Sequence, residues 1–431
     1  MPSRTLQVVI LSNNEISGPI PSSFFDIVSL GKVDLSSNNL RGIVTPNMLS
    51  MLVQLEDVNL SNNSLLYLNN NDTSVNYSFS HLYLLRLSSC NIHKFPRFLR
   101  RQDIWPPLDL DISKNKISSH FHKWEIEGMS LGRLNLSYNF LTGIDLFGFE
   151  YLCTIDLSSN LLQGSLPILS TTLTIDSLFI SRNNMTGEIP SYCNLTSFSV
   201  LDLANNSLGR KIPNCLGSLS ELSILDLRMN KFHGRIPNLF INHGRLRTFN
   251  LNGNQLEGKL SSSLINCRDL EVLDAKNNYL NDTFPHLLGV LASLKVLILR
   301  FNRFHGAISN SMLVFYFSQL RIIDISQNNF MGLLPTNYFK ILKGMRDVHG
   351  DEAKLEYIGD SSIYYKDSVA LVMKGLEVEL VWILKIFTTL DFSGNRFYGP
   401  IPEELGELIS LLLLNLSHWS NSIILGEKER T

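Results

Sequence analysis

Cysteine, charge and long apolar runs are all scarce in this chain. Five cysteines among 431 residues, none in a CxxC spacing, are too few for a disulfide-built scaffold. Charged residues make up only 18% of the chain and the formal net charge is −2, which excludes a charge-driven nucleic-acid binder. The 44% hydrophobic content excludes a disordered chain. The longest apolar run near the C-terminus, LISLLLLNL at residues 408–416, falls short of the roughly 20 residues that cross a bilayer. Met1 opens directly into TLQVVILSNN, without a charged segment, an apolar stretch or a small-residue cleavage site, so no secretory leader is expected in this sequence. Gly-rich phosphate loops, GxSxG and HExxH are missing too, and neither an enzyme nor a cofactor is expected. His120-x-His122 is the one close histidine pair. It lies in irregular sequence with no third ligand beside it, and it reads as chance rather than as a metal site.

Two residue types are abundant instead: 75 leucines and 41 asparagines. Leucine alone would suit a helical bundle, but asparagine favours neither helix nor strand and needs another reason to be there. The reason is a repeat. The string LxxLxLxxN starts at residues 6, 30, 55, 82, 107, 131, 152, 175, 198, 222, 246, 270, 294, 320, 387 and 411, sixteen copies in all, mostly 23–25 residues apart. Positions 4 and 6 are apolar and share one face, which predicts a short strand. No single repeat can bury that face alone, so stacking should build one continuous core and one parallel sheet. The Asn at position 9 is expected to turn the chain inward and to satisfy backbone groups of neighbouring coils. Cys90 replaces it in the fourth copy.

Many copies continue as LxGxIP, as in Ile16, Gly18, Ile20, Pro21 and in Phe397, Gly399, Ile401, Pro402. This tail and the 24-residue period resemble the plant extracellular class of leucine-rich repeats. The segments NDTFPHLLGVLASLKVLILRFNRFHGAI, IIDISQNNFMGLLPTNYFK and YYKDSVALVMKGLEVELVWILKIFTTLDFSGNRFYGPIP narrow the resemblance to plant receptor-like proteins of the Cf disease-resistance type. It implies an α/β solenoid, a horseshoe or superhelix with a parallel concave β-sheet. The expected organisation is repeats 1–14 over residues 1–340, a non-repeat island over 341–386, repeats 15–16 over 387–418 and a divergent tail over 419–431. Within the island, the alternating run Ser368–Met373 reads as a strand and Lys374–Gly375 as a turn. The missing leader, N-terminal cap, acidic segment and membrane helix suggest a truncated or mis-predicted gene product. The resemblance further implies ligand perception at the plant plasma membrane, in defence or development. The extracellular region would bind a protein, peptide or pathogen-derived ligand. Signalling would pass through an adaptor and a co-receptor, both leucine-rich-repeat receptor kinases. The alternatives are a secreted inhibitor resembling the polygalacturonase-inhibiting proteins, which lack an island, or a nonfunctional fragment.

Position 5 is mostly Asp or Asn (Asp34, Asn59, Asp156, Asp202, Asp226, Asp274, Asp324, Asp391), which reads as a structural ladder. Position 7 is Ser or Ala through nine copies and then becomes Arg228, Asn252, Lys276 and Arg300, with Met229 and Phe301 beside it at position 8. Adjacent strands lie about 4.8 Å apart, so these residues would form a continuous concave stripe, rich in the types that anchor interfaces. They are the candidate ligand-binding residues. Sequons occur at Asn59, Asn62, Asn71, Asn76, Asn135, Asn184, Asn194, Asn205, Asn281 and Asn415, which suits an extracellular glycoprotein and leaves the stripe uncovered. Cys193 and Cys215 occupy nearly equivalent positions in adjacent repeats, where stacking should bring them to bonding distance.

Overall fold

The computed structural model describes residues 5–69, 77, 79–99, 106–122, 125, 128–145, 151–169, 175–192, 195, 197–238, 245–308, 317–346, 356–358, 365–373 and 375–418. Sixteen short strands, from Val8–Ile10 to Leu413–Asn415, lie parallel in chain order, one for each copy of the repeat. The chain divides into two compact units, residues 1–206 and 207–431. Register is set by the repeat itself: Ile224 pairs with Thr248 and Asp226 with Asn250, and Thr248 then pairs with Val272. Equivalent positions therefore stand beside one another, and positions 4 and 6 pool into a core. Leu225 and Leu227 are 1% and 0% exposed, and Leu273 is 0% exposed. Fully burying such a side chain stabilises by about 1.5–3 kcal/mol.

A left-handed residue follows each strand at position 8, for example Asn13, Asn62, Asn205 and Asn277, with φ between 53° and 58°. Asparagine tolerates this region better than most residues, which explains part of its abundance. The position-9 asparagines explain the rest. Asn254 donates Nδ2 to the carbonyls of Leu227 (2.9 Å) and Leu251 (3.0 Å), and its Oδ1 accepts the Phe232 N–H at 3.0 Å. Asn278 and Asn328 repeat the pattern. Each side chain thus joins its own coil to the preceding one and satisfies buried backbone groups that would otherwise cost about 1–3 kcal/mol apiece. In the fourth copy the Cys90 thiol donates to the Leu60 carbonyl at 3.1 Å. Burial pushes that thiol up to about 12.

The position-5 residues also serve the backbone. Asp34, Asp156, Asp226, Asp274, Asp324 and Asp391 each accept the N–H two residues on, at 2.9–3.1 Å. Helical content is brief: 3-10 turns such as Asn214–Ser218 and Glu403–Glu407 each follow a proline. Among the described residues three short α-helices occur, at Pro46–Ser50, Thr336–Ile341 and Lys343–Arg346. The LxGxIP segments pair in small parallel sheets, such as Ser17–Gly18 with Asn39–Val44.

The island interrupts this pattern in the second unit. Ser368–Met373 forms the expected strand and pairs antiparallel with a second strand, Leu376–Val381, which the sequence reading did not assign. Gly375 turns the hairpin at φ +79°, a conformation that favours glycine. Lys374 lies outside the described residues.

Candidate functional site

The hairpin lies on the sheet face opposite the repeat core. Val272, Val296, Ile298 and Ile322 project from that face and form a buried apolar cluster with Ile358, Val369, Leu371 and Ile383 of the island. Leu380 and Phe387 pack against its edge. These sheet residues, Ile298 apart, occupy position 3 of their repeats. In the first unit the same position carries exposed Val8 and Lys32. An apolar position 3 in the later copies was the sequence signal that something covers this face.

Polar anchors line up along the same contact. The Tyr365 hydroxyl donates to Asp226 Oδ2 at 2.8 Å, and Asp226 is fully buried. The Thr248 hydroxyl donates to Asp367 Oδ1 at 2.7 Å. Arg228 Nη1 donates to Ser368 Oγ at 2.6 Å, and that hydroxyl donates onward to Glu379 at 3.0 Å. Lys276 Nζ donates to the Ala370 carbonyl at 3.0 Å and to Glu377 Oε1 at 2.8 Å. The Lys276 side chain is 2% exposed, whereas that of Glu377 is 59% exposed. The bond from Lys276 and its charge hold the Glu377 carboxyl below its usual range. Burial does the opposite to Asp274, Asp324 and Asp367, each pushed up to about 6.

These contacts correct the expectation of an open basic stripe. Arg228 and Lys276 are taken up by the island, because the hairpin backbone and its acidic residues supply the acceptors that solvent would otherwise provide. Asn252 is half-buried and accepts Asn277 Nδ2 at 3.3 Å. Met229 and Phe301 remain 50% and 46% exposed. Both have left-handed backbones, at φ 53° and 52°, a region uncommon for such bulky residues. Arg300 stacks its guanidinium 4.6 Å from the Phe301 ring centroid. Its Nε and Nη1 are buried and have no hydrogen-bond partner among the described residues. Stranded donors of this kind are rare in folded proteins.

Of the sequon residues, Asn62, Asn184 and Asn281 are exposed. Asn59 and Asn205 are half-buried. Asn135 accepts from Ser137, and Asn415 donates to Asp391 at 2.9 Å. Asn71, Asn76 and Asn194 lie outside the described residues. Cys215 is disulfide-bonded, and Cys193 lies outside the described residues. Cys90, Cys153 and Cys267 are free thiols. His120 and His122 acquire a neighbour that their local sequence did not offer. Asp145 stands 2.9 Å from His120 Nε2 and 3.5 Å from His122 Nδ1.

Leucine-rich-repeat family models match residues 4–65 and residues 197–219, 245–267 and 387–408. Receptor-like protein 35 of Arabidopsis thaliana is 38% identical over 399 residues, covering 92% of this chain and 40% of the relative. Receptor-like protein 32 of the same plant is 40% identical over 330 residues, covering 76% of this chain and 36% of the relative. The chain thus spans well under half the length of these two relatives. Among solved structures, the Arabidopsis receptor kinase HAESA, in complex with the peptide hormone IDA and the co-receptor SERK1, superposes with a TM-score of 0.65 at 23% identity, covering 97% of this chain and 70% of that one. A leucine-rich-repeat protein of Leptospira interrogans superposes with a TM-score of 0.63 at 20% identity, covering 97% of this chain and 86% of that one. A plant receptor and a bacterial protein fit equally well, so these superpositions establish the solenoid fold alone. The family rests on the sequence matches together with the repeat and its island, and by these the chain belongs to the plant leucine-rich-repeat receptor-like proteins.

Proposed function

We propose that this chain is the ligand-recognising part of a plant cell-surface receptor, responding to a protein, peptide or pathogen-derived ligand in defence or development. Signal transduction passes to partner receptor kinases at the plasma membrane. Recognition is by binding rather than by catalysis. Among the described residues, the exposed sequon residues Asn62, Asn184 and Asn281 are the candidates to carry glycans. The solved receptor complex with IDA and SERK1 supports a peptide ligand and a kinase co-receptor in general terms. The docked island favours the receptor over a secreted inhibitor of the polygalacturonase-inhibiting type, whose shorter solenoid carries no island.

The carrying observation is Arg300. Its two stranded nitrogens lie beside the half-exposed Phe301 ring, close to the edge of the hairpin whose Glu377 it influences. A half-buried guanidinium with spare donors, once it turns outward, is suited to a ligand carboxylate or carbonyl, and a ring at half exposure is suited to an apolar side chain. Met229 and Asn252 extend this patch. In an intact receptor context, Arg300→Ser and Phe301→Ala should each weaken ligand-triggered signalling by tenfold or more, the scale of a hot-spot loss of about 2 kcal/mol. Protein level should stay normal. Unchanged signalling from both variants would move recognition to another surface.

A further inference from the structure

The histidine pair carries an inference of its own. His120 ends up beside a repeat that begins beyond it in sequence. Its strand, Ser118–Phe121, pairs in parallel with Phe140–Ile144 of the following copy, and His120 stands opposite Gly143. Phe121, 1% exposed, fixes that strand in the core, and its carbonyl accepts the Asp145 N–H at 3.0 Å. The same pairing that stacks the coils therefore delivers Asp145 to the two imidazoles. His120 and His122 lie with ring centroids 4.5 Å apart at an interplanar angle of 30°. One ring nitrogen from each histidine and one Asp145 carboxylate oxygen all fall within 4.8 Å of one another. Gly143 makes room for this arrangement: a Cβ there would collide with Nδ1 of the His120 ring.

We propose that His120, His122 and Asp145 form a zinc site that clips two neighbouring repeats together. Tetrahedral zinc with bonds of about 2.0–2.2 Å holds its ligand atoms about 3.3–3.5 Å apart. His120 Nε2 stands 2.9 Å from Oδ1 of Asp145 and His122 Nδ1 3.5 Å from its Oδ2, and one ligand atom from each residue lies within 4.8 Å of the other two, so rotation of the exposed rings can bring the donors to that spacing. Two imidazoles with one carboxylate select zinc or a similar borderline ion over calcium or magnesium, which prefer all-oxygen shells. Three protein ligands leave a fourth position for water or for a donor from outside the chain. A plain histidine–aspartate pair explains the His120–Asp145 contact, but it does not require the second imidazole to turn Nδ1 to the same carboxylate.

The test uses the untagged full chain, stripped with a chelator and titrated with zinc against a chromophoric competitor. One zinc per chain is expected. Cobalt at the same site should show the visible bands of a tetrahedral N/O site. His122→Gln and Asp145→Asn should each weaken zinc binding at least tenfold, while His93→Gln, at an exposed histidine elsewhere, should not. Gly143→Ala keeps all three donors but crowds the His120 ring, so it should weaken binding too. Melting of each variant in excess chelator checks folding, and these exposed donors should leave it near wild type. Millimolar calcium should not displace the zinc. No binding at about 100 μM zinc, or binding retained in both His122→Gln and Asp145→Asn, overturns the proposal.

Discussion

Lys276 and Glu377 differ so much in exposure that removing one should not cost what removing the other costs. Glu377→Ala leaves a buried ammonium, 2% exposed, with the Ala370 carbonyl as its remaining cross-contact. An uncompensated buried charge is expensive, of order 3–5 kcal/mol for a fully buried pair. Because the carboxylate is 59% exposed, we discount this for screening to about 2 kcal/mol. Lys276→Met keeps the packed stem and frees a carboxylate that water can reach, which alone costs about 1 kcal/mol or less. It also takes a cation away from Asp274, whose carboxyl is already up at about 6. At pH 7.5 that loss adds to the penalty, whereas at pH 5 Asp274 is largely protonated and the loss fades. The comparison therefore belongs at pH 5, where Glu377 is still ionised because its carboxyl titrates below the usual range. Hydrogen exchange across 369–380 reads the hairpin directly. Glu377→Ala should speed exchange there by about thirtyfold, the equivalent of about 2 kcal/mol, and Lys276→Met by under tenfold. If Lys276→Met is the more damaging variant at pH 5, the hairpin is not held in the way described.

Other outcomes follow from the same contacts. Asp274, Asp324 and Asp367 have folded-state carboxyls raised to about 6, so their contribution is fully present below about 4 and is lost as pH rises through 6. The urea midpoint should accordingly be higher at pH 5 than at pH 7.5, and a flat profile would refute this. Asn278→Ala strands the Leu256 N–H and removes donors from three carbonyls, so it should destabilise by about 3 kcal/mol or more. A chemical-denaturation loss under about 1 kcal/mol would count against the asparagine ladder. Cys215 is disulfide-bonded and three other cysteines are free, so mapping of unreduced peptides should recover Cys193 linked to Cys215. A free thiol at Cys193 would refute that pairing.

Much of this architecture was legible because a repeat states its structure many times. Sixteen repeat starts, read off the sequence, became sixteen strands, and the excess asparagine became a ladder of buried amides. What stayed hidden were relations between repeats and across the island. Lys276 meets Glu377 from 101 residues away, and Arg228 meets Ser368 from 140. A 24-residue period says nothing of such partners. The basic stripe was read as an open ligand-binding surface, but Arg228 and Lys276 find their acceptors on the chain's own hairpin. His120 and Asp145 show the same limitation at shorter range. They are 25 residues apart, about one repeat, and a search for ligands adjacent in sequence passes over that spacing.

The covered face also explains why the island is compatible with the repeat rather than merely tolerated by it. A solenoid strand normally shows position 3 to water, and an apolar residue there gains nothing. From the ninth copy that position carries Val200, Ile224, Val272, Val296 and Ile322, with Thr248 among them, all at most 2% exposed. These side chains are favourable only if something is laid over them. Tyr365, Asp367 and Lys276 bring hydrogen-bonded polar atoms to the same contact, which reduces the cost of burying them. The later repeats and the hairpin thus form one folded element. What that element does not consume, the Arg300 guanidinium and the exposed faces of Phe301 and Met229, is the surface proposed above for ligand contact.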